Sequence, residues 1–186
     1  FTLSATAAVD GTSTITPAQL TCEYDADPVI DIQNPRLSWI NENTAKTNGA
    51  AQTAYRIRVA TSPDDFSQAV WDTGKVASDC STGVEYAGEA LRSGTRYAWQ
   101  VRVWDNKGKV SKWSERASWL TGMLTPNEWQ AKWIEPKAQG SESPLMRREF
   151  SINKPIASAV AYITAHGMYE ALINGEKVGD AHYAPG

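Results

Sequence analysis

Four acidic side chains lie close together near the start of the chain: Glu23, Asp25, Asp27 and Asp31. Carboxylate oxygens are ligands that Ca²⁺ prefers. Two carboxyl groups roughly 6.5–9.5 Å apart could instead hydrolyse a glycosidic bond with inversion, one as acid and one as base. The spacing is not that of an EF-hand loop, and Pro28 interrupts the segment. We therefore favour a solvated loop between two strands over a calcium site.

Histidine and cysteine offer little further chemistry, since the chain has only two of each. A zinc site would need at least one more ligand than His166 and His182 supply. We predict a hydrogen-bonded turn at His166. Neither Cys22 nor Cys80 has a basic neighbour that would activate its thiol. Whether the two form a disulfide is left open. No catalytic residue, metal site or cofactor is predicted.

Tryptophan and tyrosine are abundant, with eight and seven copies against three phenylalanines. Both suit a β-sandwich core or a sugar-binding surface. Trp104 and Trp113 could form a sugar-stacking platform. Alternatively they could interleave with arginines in a ladder, each contact gaining roughly 0.5–1 kcal/mol when exposed. The arginines that alternation points outward are Arg56, Arg58, Arg96 and Arg102. The Gly108-x-x-Ser111-x-Trp113-Ser114 spacing resembles half of the motif that builds such ladders in cytokine receptors, so we favour the ladder.

The composition is that of an ordinary folded protein and excludes several classes of function. The chain has 186 residues, enough for one large domain or two small ones. Eighteen basic and 21 acidic residues give a net charge of −3 with no block of like charge. This argues against a partner nucleic acid, which requires a basic face. The apolar runs span only a few residues, so no membrane span is predicted.

The elements that must hold these side chains are β-strands, because nearly every periodic stretch alternates with period two. The predicted strands are Leu20–Tyr24, Arg36–Ile40, Tyr55–Val59, Val70–Asp72 with Lys75–Val76, Val84–Tyr86, Thr95–Trp104 and Ala117–Thr121. Asp105–Gly108 is predicted to be a hairpin turn. Ser62–Asp65 is predicted to begin a one-turn helix, since a serine cap precedes proline and two acids. Many short strands with frequent turns indicate a β-sandwich.

A second domain is predicted after the short segment Thr121–Pro126. We expect one domain over 1–124 and another over 125–186. Strands are predicted at Leu145–Ile152, Ala159–Ala165 and Tyr169–Ile173. Asn174 and Gly175 then form a strong hairpin turn, since both tolerate positive φ. We expect this second domain to be incomplete, with unpaired strands through which two copies could form a dimer.

The strongest strand and the turn before it resemble part of a fibronectin type III domain. The pattern is Leu91-x-Ser93-Gly94-Thr95-x-Tyr97-x-Trp99-x-Val101-x-Val103. The resemblance implies that Tyr97 is the corner tyrosine at the start of this strand. It also implies that Trp39 is the buried tryptophan of the second strand. It covers roughly residues 17–121.

An ordered series of motifs narrows the match. It comprises Pro35–Trp39, Gln52–Ile57, Trp71–Val76, Arg96–Asp105, Trp113-Ser114, Thr121–Leu124, Trp129–Ile134, Ile163–Glu170 and Ile173–Asp180. This series resembles the N-terminal region of bacterial α-L-rhamnosidases, glycoside hydrolases built around an (α/α)₆ barrel. The resemblance implies an all-β chain: a fibronectin type III-like, immunoglobulin-like β-sandwich followed by a truncated jelly-roll β-sandwich.

The resemblance also implies a function. The catalytic carboxyl groups of such inverting enzymes lie in the barrel, so we expect this segment to be an inactive accessory to the downstream domains of the same polypeptide, which act on rhamnose-containing glycans. The sequence begins with Phe1 rather than Met, and its first eight residues have neither the basic nor the apolar region of a signal peptide. We therefore expect an exported protein whose signal peptide has been removed. One alternative is a carbohydrate-binding module that uses Trp104 or Trp113. Another is an adhesion-type fibronectin domain, which leaves the Ile163–Asp180 block unexplained.

Overall fold

The computed structural model describes residues 12–45, 48–136, 144–156 and 159–179. The chain divides into two compact units, Phe1–Lys132 and Trp133–Gly186. Among the described residues there are eleven strands and one short 3₁₀ helix, Pro126–Glu128. The predicted all-β fold class is therefore confirmed. Within those ranges, no helix has the length and apolar character needed to cross a membrane.

The first unit is a sandwich of two sheets. Its strands are β1 (Ile15–Cys22), β2 (Val29–Ile30), β3 (Arg36–Asn43), β4 (Gln52–Ala60), β5 (Trp71–Asp72), β6 (Val76–Ala77), β7 (Val84–Glu85), β8 (Arg96–Asp105) and β9 (Ala117–Thr121). The smaller sheet has the order β1-β3-β7. The larger sheet has the order β2-β9-β8-β4-β5, and β6 also pairs with β4. β2 runs parallel to β9, whereas β4, β8 and β9 pair antiparallel.

The core lies between the sheets because alternate residues of β4 and β8 point inward. Trp99, Val101 and Val103 of β8 are fully buried. Trp39 of β3 is buried too, and its indole Nε1 donates a hydrogen bond to Oε1 of Gln52 at 3.1 Å. Burial of such large apolar side chains contributes roughly 25 cal/mol per Å² of apolar surface, so it is the main stabilising term.

Tyr97 fixes the corner that leads into β8. Its hydroxyl oxygen accepts a hydrogen bond from the backbone N–H of Arg92 at 2.9 Å, and its ring stacks on Trp119 with centroids 5.6 Å apart. The end of β9 is held to the same corner, since the backbone N–H of Thr95 donates to Oγ1 of Thr121 at 2.9 Å. The loop before β8 and the end of β9 therefore form one hydrogen-bonded corner.

The predicted helix start at Ser62–Asp65 is wrong. Ser62, Pro63 and Asp64 form bends, and Oδ1 of Asp65 accepts a hydrogen bond from the backbone N–H of Ser67 at 2.8 Å. A short acidic side chain that bonds the backbone two residues later offers the chain an alternative to the helical turn.

The second unit contains the hairpin of β10 (Leu172–Ile173) and β11 (Glu176–Lys177). Asn174 and Gly175 between them have φ of 53° and 87°, which is the geometry of a type I′ turn. The segments 145–152 and 159–165, predicted as strands, form no strand. Extended backbone becomes a strand only when a neighbour accepts and donates its hydrogen bonds. The described residues supply no such neighbour here.

Candidate functional site

The outer face of the larger sheet carries a cluster of charged and aromatic side chains. Because β4 and β8 alternate, the residues between their buried positions point away from the core. We call this cluster the ladder face; its members are Arg56, Arg58, Asp72, Lys75, Arg102, Trp104 and Trp113. Register aligns its strands, since Arg56 lies opposite Arg102 and Arg58 lies opposite Asp72.

Cations and indole rings alternate across this face. The guanidinium carbon of Arg102 lies 4.7 Å from the ring centroid of Trp113 and 5.2 Å from that of Trp104. Arg58 lies 5.2 Å from Trp113, and Nζ of Lys75 lies 4.8 Å from Trp104. Each indole thus has two cations over its ring. A sugar that stacked on either indole would have to displace a cation, at a cost of roughly 0.5–1 kcal/mol or more.

Asp72 is the carboxylate of the ladder face. Its oxygens accept bonds from Nε and Nη2 of Arg56, both at 2.7 Å, and from Nε of Arg58 at 2.8 Å. The backbone N–H of Gly74 also donates to it at 3.0 Å. The hydrogen bond from Arg56 is the main reason that the pKa of Asp72 lies far below its usual value. Asp72 therefore stays ionised and holds the two arginines of β4 in place.

Arg102 has no such partner. Within the described ranges its guanidinium makes no ion pair, and its Nε is buried without a hydrogen-bond acceptor. Burial is the main cause that lowers its pKa, followed by the positive charges of Arg56 and Arg58, while Asp72 acts in the opposite direction. Arg102 is therefore a stacked cation whose buried Nε has no acceptor among the described residues.

The other predicted structural residues lie elsewhere. Trp39, Tyr97 and Trp99 are in the core, and Nε1 of Trp99 is buried without a hydrogen-bond partner among the described residues. Asn174 and Gly175 form the hairpin turn of the second unit. Within the first unit the structure thus brings together Arg58, Arg102, Trp104 and Trp113 on the ladder face, away from the buried Trp39, Tyr97 and Trp99.

Two of the four acidic residues between β1 and β3, Glu23 and Asp27, form ion pairs with arginines. Arg36 Nη2 lies 2.6 Å from Oε2 of Glu23, and this hydrogen bond is the main cause that lowers the pKa of Glu23. Asp27 pairs with Arg96 and accepts a bond from Oγ of Ser118 at 2.7 Å. Across the residues that the structure describes, no three histidine, cysteine or acidic side chains are grouped to hold a metal ion.

Both cysteines are unpaired. Cys22 is buried and Cys80 is exposed. Burial raises the pKa of the Cys22 thiol to about 12, with the charge of Glu23 adding to the effect. A thiol in that environment stays protonated and unreactive.

Two features were missed by the sequence reasoning. Asp105 ends β8 as a buried carboxylate that accepts bonds from the backbone N–H groups of Lys107 and Lys109, both at 2.9 Å. His166 stacks on Trp133 in the second unit, with ring centroids 4.1 Å apart and planes 21° apart. The turn signal at Asp105–Gly108 could have suggested the first, whereas no local pattern indicates the second. His182 lies outside the described residues.

Known proteins provide the context for this architecture. The sequence profile described as the Rha78A-like N-terminal immunoglobulin domain matches residues 17–125. A second profile, described as the α-L-rhamnosidase N-terminal domain, matches residues 154–186. The division at 124 and 125 that the sequence suggested stays a prediction.

Individual relatives agree with these profiles. A Streptomyces avermitilis protein named α-L-rhamnosidase is 36% identical over 84% of this chain. The crystal structure of the S. avermitilis α-L-rhamnosidase complexed with L-rhamnose aligns to 65% of this chain and 12% of its own, with 42% identity and a TM-score of 0.62. That of native α-L-rhamnosidase from Aspergillus terreus aligns to 92% of this chain and 20% of its own, with 26% identity and a TM-score of 0.66.

The matches cover most of this chain but little of the relatives. The chain spans 18% of the length of the S. avermitilis protein and 18% of a Formosa agariphila protein with the same name. The matched profile covers more than half of the chain, including every strand of the sandwich core from β3 to β9. The chain therefore belongs to the family of Rha78A-like N-terminal immunoglobulin domains, and it corresponds to an N-terminal portion of α-L-rhamnosidases.

Proposed function

We propose that this chain is a non-catalytic accessory segment of an exported α-L-rhamnosidase that acts on rhamnose-containing glycans. The observation that carries the proposal is the pair of profile matches, at residues 17–125 and 154–186, in one chain. In this role the segment orders the neighbouring domains of the polypeptide.

Three carboxylates of the sandwich are unsuited to act as the acid of a glycosidase. An inverting glycosidase needs one carboxyl group whose pKa is raised so that it can protonate the leaving oxygen. Here hydrogen bonds lower the pKa values of Glu23 and Asp72, with arginine as the main cause in each. Burial raises the pKa of Asp105, but hydrogen bonds from Lys109, Ser13, Lys107 and Thr14 outweigh it and the net shift is downward. Groups held ionised in this way are poor proton donors.

Hydrolysis of an aryl α-L-rhamnoside tests the proposal on two proteins. One is the 186-residue chain, and the other is the natural polypeptide that contains it. We expect the longer protein to release the aglycone and the 186-residue chain to release none. Activity of the short chain would contradict its accessory role, and inactivity of the longer protein on every rhamnoside tested would contradict the enzyme assignment.

Export and self-association are finer parts of the same proposal. Polymeric glycans do not enter cells readily, so an enzyme that acts on them is expected outside the cytoplasm. Fractionation of the source cells tests this, and the protein in the cytoplasmic fraction would contradict it. Pairing of two copies through strand edges of the second unit predicts a dimer or aggregate in light scattering, whereas a sharp monomer peak would argue against it.

A further inference from the structure

The ladder face carries an imbalance of charge. It has four cations, Arg56, Arg58, Lys75 and Arg102, and one carboxylate, Asp72, which pairs with Arg56 and Arg58 only. This occurs in a chain whose formal net charge is −3. Charges farther away than the Debye length, about 8 Å at physiological salt, are largely screened. An approaching ligand therefore meets a local surplus of positive charge despite the acidic character of the whole chain.

Arg102 is the centre of that surplus. Arg56 and Arg58 each have hydrogen bonds to Asp72 at 2.7 or 2.8 Å, whereas Arg102 has none with the described residues. Its position is nevertheless fixed, because its guanidinium carbon lies 5.2 Å from the ring centroid of Trp104 and 4.7 Å from that of Trp113. The buried Nε cannot reach a ligand, but the two Nη groups have no hydrogen bond with the described residues, and a guanidinium held in place in this way is suited to bind a carboxylate through paired N–H···O bonds.

We propose that the ladder face binds the carboxylate groups of an acidic glycan, with Arg102 as the central cation and Lys75 as a second contact. The choice of a glycan rests on the proposed function, while the choice of an anion rests on the charges described above. Cations already lie over the indole rings of Trp104 and Trp113. The sugar is therefore recognised by its charge rather than by stacking on those rings. The partly exposed indoles then supply apolar contact beside the carboxylate.

Calorimetric titration of the 186-residue chain with trigalacturonate tests this inference. The fully methyl-esterified trisaccharide is the matched ligand, since it keeps the sugar rings and lacks the charges. We expect the ester to bind at least about tenfold more weakly, which corresponds to the loss of one charge-assisted hydrogen bond. We also expect the affinity for the acid to fall as salt is raised. Equal binding of acid and ester would overturn the proposal.

Two variants locate the site, and a third controls for net charge. Arg102→Gln is expected to weaken binding of trigalacturonate about tenfold. Lys75→Gln is expected to weaken it about threefold, and because Lys75 is exposed this variant tests the site even if Arg102→Gln unfolds. Arg96→Gln removes the same charge from the same face of β8, about 20 Å along the strand, and is expected to bind normally. Equal weakening by Lys75→Gln and Arg96→Gln would show a general charge effect and overturn the inference.

An acidic peptide tests whether the ladder face binds a protein segment instead of a glycan. If hexaglutamate binds as tightly as trigalacturonate, the face recognises a protein segment and the glycan assignment is overturned. These outcomes are independent of the rhamnosidase assay. If the longer protein is active and the 186-residue chain does not bind trigalacturonate, only this inference is refuted. If the longer protein is inactive and the 186-residue chain binds trigalacturonate, only the proposed function is refuted.

Discussion

Replacement of Asp105 by asparagine should remove one of the strongest polar contacts in the sandwich. Oδ1 accepts the backbone N–H groups of Lys107 and Lys109, both at 2.9 Å. Oδ2 accepts a hydrogen bond from the Ser13 hydroxyl at 3.0 Å and another from the backbone N–H of Thr14 at 3.4 Å. An asparagine keeps only one acceptor oxygen. Its NH₂ group cannot bond to the N–H donors of Lys107 and Lys109, so it should face Ser13 and Thr14. There Oγ of Ser13 can turn to accept a bond, whereas the backbone N–H of Thr14 loses its acceptor.

The size of the effect follows from those contacts. A hydrogen bond to a charged group contributes about 1.5–3 kcal/mol, and a buried donor left unpaired costs a similar amount. Loss of the Thr14 bond and of the charge on the remaining bonds should lower the free energy of unfolding by about 2–3 kcal/mol, a substantial part of the 5–15 kcal/mol that is typical of a domain. With an m-value of about 2 kcal/mol per M, the urea midpoint should fall by about 1 M.

Urea unfolding followed by tryptophan emission measures this, with Asp79→Asn as the control because Asp79 is exposed. The pH dependence is a second readout. The pKa of Asp105 is lower in the folded protein, so its contribution is fully present above the unfolded pKa of about 3.9 and is lost as pH falls through the folded pKa. The difference between wild type and Asp105→Asn should therefore be largest near neutral pH and shrink in acid. A midpoint shift below about 0.5 M, or a difference that grows in acid, would refute the reasoning.

Three further outcomes are expected. Tyr97→Phe leaves the backbone N–H of Arg92 unpaired and should lower the free energy of unfolding by about 1–3 kcal/mol in the same urea assay, with unchanged stability as the contrary result. Asp72→Asn should cost about 1 kcal/mol at neutral pH, and because the pKa of Asp72 is lowered, its deficit should begin to shrink as pH falls below about 3.9 and disappear only as pH falls through the much lower folded pKa. With Ellman's reagent near neutral pH, Cys80 alone should react in the native protein and Cys22 only after unfolding, since burial raises the pKa of Cys22 to about 12; two fast native thiols would contradict this.

Alternation along a strand was the part of the fold that the sequence could specify. Thr95–Trp104 alternates without interruption, and β8 spans nearly the same residues, Arg96–Asp105. β1 is different, because it begins at Ile15 and its register shifts between Ala18 and Thr21. Gln19 has a φ of 49° at this irregularity, so the period-two pattern breaks there. The sequence pattern therefore does not reveal the part of β1 that precedes Leu20.

Contacts between distant segments could not be predicted in the same way. Alternation places Arg58 and Arg102 on the outer face, but Asp72 joins them only through its register opposite Arg58. Asp105 lies in a recognisable turn, yet its partner Ser13 is 92 residues earlier and has no local signal. The prediction of strands at 145–152 and 159–165 in the second unit was wrong for a related reason. Pairing depends on a partner strand rather than on the segment itself.

The parallel pairing of β2 with β9 has a consequence for how the sandwich is made. Val29 and Ile30 pair with Leu120 and Thr121, and the bond between Asp27 and Ser118 spans 91 residues. Such a high contact order predicts folding in milliseconds to seconds rather than microseconds. During synthesis, a nascent chain that has not reached β9 exposes one edge of β8, which is a template for aggregation. The larger sheet can therefore be completed only once its last strand has left the ribosome.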